Sequence, residues 1–320
     1  MSEATEPATD ALAHRLPLSA GQSIVYYTLN GRSADDSRSA EPAATRPTII
    51  LLHGMRDTGR SLLPIAAALN ADFDCVLPDL RGHGQSLRPG SYAIQHYLMD
   101  LRRLIAHLKL ERVALLGHSL GGHIVSRYAG MFTSAISALM IVEGLGPPLG
   151  ARSAEGDIAG LSALLDSAIQ TAARAEDPRV MPDRAAAAER LLANNPGLSE
   201  SFAAQLATWG TEAVDGGVVW AFDPRAQEVF LGVSHRRNLD YWRSITAPTA
   251  ILLGADSHHY WARRAANGDG RFAPGELDER LQCFRDVEYH EIAAAGHQVH
   301  YDQPDAFAAL AQDFFRRKLG

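Results

Sequence analysis

The stretch Arg112-Val113-Ala114-Leu115-Leu116-Gly117-His118-Ser119-Leu120-Gly121-Gly122 decides how the rest of the chain is read. Residues 112–119 form a short apolar run, the pattern of a parallel strand whose two faces are both covered. Residues 121–132, GGHIVSRYAGMF, read as a helix. Between them lies the pentapeptide Gly117-His118-Ser119-Leu120-Gly121, a G-x-S-x-G pattern. A serine on a sharp strand-to-helix turn presents its Oγ at the carboxyl edge of a sheet. The glycines are needed because strand and helix backbones pass close to the turn. The N-terminus of the following helix favours developing negative charge. Strand before and helix after select a nucleophile over a chance Gly/Ser turn, so Ser119 is the candidate nucleophile.

The strand pattern recurs at 47–54 (PTIILLHG), 73–80 (FDCVLPDL), 137–144 (SALMIVEG), 249–255 (TAILLGA) and 287–292 (VEYHEI), with a weaker alternation at 23–29. Helical patterns fill the gaps at 61–70 and 97–110, where Leu98, Leu101, Leu104, Ile105 and Leu108 fall near helical spacing. Another closes the chain at 305–319. Strands alternating with helices predict an α/β fold, a doubly wound and mostly parallel sheet with helices on both faces. Residues 145–246 break the alternation. They hold helical patterns at 158–175, 183–194 and 199–208, then a turn-rich piece, VDGGVVWAFDP. The expected organisation is a flexible arm at 1–22, a core at 23–144 and 247–320, and an inserted helical cap at 145–246. Residues 32–46 read as a solvated loop.

A serine hydroxyl is a weak nucleophile and needs an adjacent base. Histidine suits that task near neutral pH. Gly296-His297 lies between a strand pattern and the last helix, and His297 is preferred over His300 by chain order. His290, inside its strand, reads as packing. His53-Gly54-Met55 ends the first strong strand, and a chain turning back there aims a backbone N–H at the serine. The N–H groups of Met55 and Leu120 are the expected oxyanion hole.

These pieces resemble the α/β-hydrolase superfamily. Leu51-Leu52-His53-Gly54, then Asp79-Leu80-Arg81-Gly82-His83-Gly84-Gln85-Ser86, then Gly117 to Gly122 and Gly296-His297 stand in the family's order and spacing over about 45–320. Within it the chain looks most like cap-bearing bacterial serine hydrolases, with Glu143-Gly144-Leu145-Gly146-Pro147-Pro148 opening the cap. The resemblance implies a sheet of about eight strands and a Ser–acid–His triad. The usual position of the acid follows the strand at 249–255, which here offers Asp256, one residue early after its glycine. Glu143, ending the strand before the cap, is the alternative, because some relatives place their acid there. Asp256 is put ahead. Arg81 and His83 are expected to brace loops. A serine rather than an aspartate at 119 excludes ester-intermediate dehalogenase and epoxide hydrolase chemistry.

The expected reaction is hydrolysis of a small or medium carboxylic ester or lactone, without a cofactor. A C–C bond hydrolase of a diketone-type substrate and a non-catalytic binding protein on the same fold are the alternatives. The cap aromatics Trp209, Trp220, Phe222, Phe230, Tyr241 and Trp242 line an acyl pocket or form the cap's own small core. Asn267-Gly268-Asp269-Gly270, with Glu276 beyond, resembles the middle of a calcium loop, but Ala265 stands at the first ligand position. A turn leading to a helix at 275–284 is preferred. His258-His259 and His297-x-x-His300 suggest zinc only weakly, since zinc would occupy the base. No metal is expected.

The composition is that of an ordinary soluble globular protein. Of 320 residues, 46% are hydrophobic and 21% charged. Folding at this length buries roughly three quarters of the chain's surface, so no staples are needed. A net charge of -7 argues against a nucleic-acid partner. Cys75 and Cys283 make no disulfide framework and fit a reducing compartment. The first residues carry Glu3, Glu6 and Asp10 with no apolar core, unlike a secretory signal. No stretch reaches the ~18 apolar residues of a membrane span. A cytoplasmic protein with no membrane partner is expected; the oligomeric state is open.

Overall fold

The structure is a computed structural model, and it describes residues 11–19, 21–29, 46–149, 158–233, 235–263 and 269–320. In chain order the elements begin with β1 (Leu12–Ser19), β2 (Gln22–Thr28), β3 (Thr48–Leu52), α1 (Leu63–Leu69), β4 (Asp74–Pro78) and α2 (Ile94–His107). The centre of the sheet follows as β5 (Val113–His118), α3 (Leu120–Met131) and β6 (Ile136–Val142). The insertion contributes α4 (Ile158–Glu176), α5 (Arg184–Asn194), α6 (Glu200–Trp209), β7 (Thr211–Val214), β8 (Gly217–Trp220) and α7 (His235–Ser244). The chain ends with β9 (Thr249–Gly254), α8 (His258–Ala262), α9 (Glu276–Leu281), β10 (Val287–Ile292), α10 (Val299–Asp302) and α11 (Pro304–Leu319).

Eight strands form one sheet in the order β1-β2-β4-β3-β5-β6-β9-β10. β1–β2 and β2–β4 pair antiparallel, and every later neighbour pairs parallel. The sheet is therefore mostly parallel and covered on both faces, as the apolar runs require. β3 shows how: Ile49 and Leu51 pack with α1 and α11, while Ile50 and Leu52 pack with α2 and α3. All four are at most 1% exposed. Side chains of a strand alternate between faces, so one five-residue run supplies two cores. Truncating Ile50 leaves a void between sheet and helices. Ile50→Ala is expected to lower unfolding free energy by about 2–5 kcal/mol, read from the midpoint of a urea melt.

Two details differ from the expectation. The arm foreseen over 1–22 is in part structure: residues 12–19 are β1, an edge strand whose register shifts between Pro17 and Ser19. Residues 1–10, and the greater part of the loop foreseen at 32–46, lie outside the described residues. The turn-rich piece of the insertion is a hairpin, β7–β8. Its helices start where the sequence offers caps. The Asp183 carboxylate accepts the Ala186 N–H at 2.8 Å, and Ser199 accepts the Phe202 N–H at 3.2 Å.

The insertion is tied to the turn after β4 by backbone. Gly84 N–H donates to Ala221 at 2.7 Å, and Asp223 N–H donates to Gly82 at 2.7 Å. Its last helix, α7, lies on α3 so closely that a Cβ on Gly130 would come 2.5 Å from the Tyr241 carbonyl. Trp242 is buried in the main core, stacked on Phe284 at 5.5 Å. Trp242 thus joins core packing and not an acyl pocket, while the partly buried Tyr241 has the Arg127 guanidinium 5.9 Å from its ring.

Candidate active site

Ser119 occupies the junction of β5 and α3 with φ 51° and ψ −111°. A non-glycine residue pays for that backbone, and such strain persists only when its surroundings enforce it. The enforcement is visible in the glycines. A Cβ on Gly117 would sit 2.4 Å from the Gly121 carbonyl carbon, and one on Gly121 would sit 2.2 Å from the Leu52 carbonyl oxygen. Side chains at either position would push β5, α3 and β3 apart and undo the turn.

His297 arrives from the loop between β10 and α10. Its Nε2 is 2.9 Å from Ser119 Oγ. Its Nδ1 is 2.9 Å from a carboxylate oxygen, and that carboxylate belongs to Glu143. The expectation that Asp256 fills this place does not match the geometry. Asp256 is exposed, its N–H donates to the Ala295 carbonyl at 2.9 Å, and its carboxylate is not on the His297 ring.

The physical reason lies in how β9 ends. A Cβ on Gly254 would come 2.3 Å from the Ala295 carbonyl and 2.5 Å from that of Gly296, so β9 runs directly against the backbone that carries His297. Only one residue separates Gly254 from Asp256, too short a loop to bring that side chain back under the ring. What points inward is Ser257, whose hydroxyl donates to Glu143 Oε1, and the Gly254 N–H, which donates to the same oxygen at 2.7 Å. Glu143 Oε2 is left for His297. The Glu143 side chain is 1% exposed, and a buried carboxylate needs this full set of partners. Like Ser119, Glu143 has a positive φ, 52°. The next residue, Gly144, packs on Gly122, where a Cβ would meet its Cα at 2.7 Å.

The loop after β3 lies against the nucleophile. A Cβ on Gly54 would come 3.3 Å from Ser119 Cβ. Met55 follows, partly buried. Leu120 opens α3, so its N–H is one of the first-turn donors that no intrahelical carbonyl can accept. His53 shapes this loop: its Nε2 accepts the Leu80 N–H at 2.9 Å, which leaves Nδ1–H to donate to the Gly54 carbonyl at 2.7 Å. Burial lowers its pKa and keeps the ring neutral.

The Asp79–Ser86 turn is braced as expected. Arg81 makes a bidentate pair with Asp100 at 2.7 and 2.8 Å, and His83 Nδ1 lies 3.0 Å from the Arg81 carbonyl. Asp79 accepts from Tyr27 and from the N–H groups of Gly59 and Gln85. Around His297, the Tyr260 ring stacks at 3.9 Å and 13°, and Trp261 presents an edge at 5.4 Å. Sequence reasoning passed over both. The only trace is that they sit four and five residues beyond Asp256.

Of the insertion's aromatics, Phe222 and Phe230 contact residues of the core. Phe222 lies under the Arg56 guanidinium at 5.7 Å, and Phe230 lies 6.2 Å from His123 of α3. Trp209 packs on Phe202 instead, and Trp220 beside Met181 and Val218 in the insertion. A groove of about 330 Å³ between the 194–197 loop and the core reaches His297 beside Asp256, Tyr260 and Asp302. A second cavity of about 230 Å³ lies behind Glu143, beside Ser257, Trp261 and Tyr289.

Two groups of metal-type donors stand close together among the described residues. The donor atoms of Asp57, His118 and His300 lie within 4.8 Å of one another, but Asp57 already holds the Ser61 hydroxyl and the Thr58 N–H. Asp256, His258 and His259 form a second such group on the surface. In the calcium-like stretch, Ala265, Asn267 and Gly268 lie outside the described residues. Glu276 is spent on Arg280 and on the N–H groups of Leu149 and Ala273, each at 3.0 Å. Among the described residues, no helix is long and apolar enough to cross a membrane.

A family model described as alpha/beta hydrolase fold matches residues 47–304. An uncharacterised protein of Mycobacterium tuberculosis is 36% identical over 117 residues, which cover 36% of this chain and 34% of that protein; the match spans about a third of the relative's length. A serine hydrolase-like protein of Danio rerio is 25% identical over 281 residues, covering 86% of this chain and 83% of the relative. Among solved structures, a thioesterase domain from the curacin biosynthetic pathway superposes with a TM-score of 0.75 at 25% identity, over 94% of this chain and 99% of that one.

Proposed function

The chain belongs to the alpha/beta hydrolase fold family, and from that premise we propose that it is a serine hydrolase cleaving a small or medium carboxylic ester or lactone through an acyl-enzyme. One observation carries the reading: an unbroken line from Ser119 Oγ through the His297 ring to the Glu143 carboxylate, with 2.9 Å at each step. That is the geometry of nucleophile, general base and orienting acid.

Ser119 Oγ attacks the carbonyl carbon while His297 Nε2 takes its proton. Glu143 keeps the other ring nitrogen protonated and stabilises the imidazolium. The negative charge on the carbonyl oxygen falls to the N–H groups of Met55 and Leu120, each worth about 3 kcal/mol in such sites. The C–O bond to the alcohol breaks as His297 returns the proton to the leaving oxygen. Water, deprotonated by the same nitrogen, then attacks the acyl carbon, the bond to Ser119 Oγ breaks, and His297 returns the proton to Oγ, leaving the free acid and the starting hydroxyl. The insertion acts as a cap, and Phe222 and Phe230 give the acyl group an apolar wall.

The likeness to a thioesterase domain favours thioesters as a second substrate class, since the same attack expels a thiolate. A panel decides: p-nitrophenyl esters of two to eight carbons, a γ-lactone, an acyl thioester and a vinylogous diketone, with acyl-enzyme read by mass spectrometry. Ester, lactone or thioester turnover with an acyl adduct on Ser119 is expected. Turnover of the diketone alone transfers the protein to C–C hydrolysis. A folded chain that acts on none of them and forms no adduct defeats the proposal.

A further inference from the structure

The residue before the nucleophile is a histidine to which the mechanism above assigns no task. His118 ends β5 and is 1% exposed. Its Nε2 lies 2.7 Å from the backbone carbonyl oxygen of His297. Only a donor can face a carbonyl, so Nε2 carries the hydrogen. The other nitrogen, Nδ1, has no hydrogen-bond partner and faces the backbone of Gly54, where a Cβ would come within 2.8 Å. The ring is packed between two others, 5.3 Å from His297 and 4.6 Å from His300.

We propose that His118 is a positioning residue for the base: by holding the carbonyl of His297 it registers the base-bearing loop on the strand that carries the nucleophile. The inference rests on the reading of Ser119 and His297 given above. His297 must satisfy two hydrogen bonds at once from opposite sides of its ring, and a peptide rotation at 297 breaks at least one. The loop has other anchors, but they hold different points. Gly296 N–H donates to Asp302 at 2.8 Å, and His300 Nε2 lies 3.3 Å from Asp57. Neither reaches β5. The His118 link alone joins residue 297 to the residue covalently next to Ser119, so nucleophile and base move as one body.

The choice of histidine follows from its neighbours. His297 and His300 face it from the base loop, and Asp57 from the loop after β3. Burial, helped by the two histidines, holds its pKa well below the ordinary value, so the ring stays neutral while His297 cycles through its charged form. A lysine or arginine here would place a permanent charge beside the developing imidazolium.

Reaction of Ser119 with a fluorophosphonate tests this without knowledge of the natural substrate. Oγ forms a P–O bond, fluoride departs, and the proton passes to His297. Labelling is resolved into a saturation constant and a limiting rate. His118→Leu removes the donor; His118→Gln keeps a terminal N–H at similar reach. The limiting rate should fall on the order of 10²-fold in His118→Leu, as for a reacting group misplaced by about 1 Å, with the saturation constant little changed. His118→Gln should recover most of that loss. If His118→Leu gives no cooperative melt, His118→Met takes its place. A donor-free variant that labels as fast as wild type overturns the inference, and so does a folded glutamine variant as slow as the donor-free one. A wild-type chain that resists the probe sinks the nucleophile assignment itself, which separates the two failures.

Discussion

Ser119→Ala is expected to lower ester turnover roughly 10⁶-fold and to abolish labelling by a fluorophosphonate. The size of the effect comes from losing a covalent route. Without Oγ no acyl-enzyme forms, and what remains is whatever the oxyanion donors and substrate binding do for direct attack by water. The fold should tolerate the change, because alanine keeps the Cβ and removes only a partly buried hydroxyl. It cannot relieve the φ of 51°, which the neighbouring glycines impose. Steady-state hydrolysis of a p-nitrophenyl ester, with a thermal melt as control, measures both. Residual activity within tenfold of wild type would remove Ser119 from the chemistry.

The second large effect separates the two carboxylates. Glu143→Gln should lower the acylation rate roughly 10⁴-fold, the cost of leaving a catalytic histidine in the wrong tautomer. The glutamine amide presents an N–H where His297 Nδ1–H needs an acceptor. Its oxygen still accepts from Gly254 N–H, so the backbone at β9 is held. Asp256→Asn should stay within about threefold of wild type, as for an exposed polar change. Single-turnover acylation on both variants gives the answer, and the reverse order would return the acid to Asp256.

The difference between these residues also marks the limit of what the chain reveals by itself. Ser119 is legible because its signal is local: five residues, a strand before and a helix after. His297 is legible because the base follows the nucleophile and sits beside a glycine at a strand end. The acid has no local signature, since any carboxylate past a strand qualifies. The choice depends on Gly254 meeting the 295–296 backbone, a contact between segments about forty residues apart that no periodicity encodes. His118 escaped notice for the same reason: its partner is a backbone carbonyl 179 positions away.

The fold is readable wherever burial on both faces produces an apolar run, as in β3, β4, β5, β6 and β9, while β2 shows only a weak alternation and β10 is half-buried. β1 is not readable in this way. Leu12–Ser19 is an edge strand containing Pro17 and three charged or polar side chains, His14, Arg15 and Ser19, so its alternation is diluted. β7–β8 was read as turn because Asp215-Gly216-Gly217 dominates it. Asp-Gly between Glu212-Ala213-Val214 and Val218-Val219-Trp220 is in fact a hairpin signal, and Gly216 with φ 82° supplies the turn.

Ser119 and Glu143 stand at the ends of adjacent strands, 24 positions apart in the chain, whereas His297 follows them by 178 and 154 residues. During synthesis the N-terminal portions emerge first, at about 5–20 residues per second. The Ser119 turn is complete in the chain well before Glu143 meets its partners Gly254 and Ser257, which follow it by 111 and 114 residues. The imidazole comes last, so the line from Ser119 to Glu143 closes only when the segment that carries His297 docks against the end of β9.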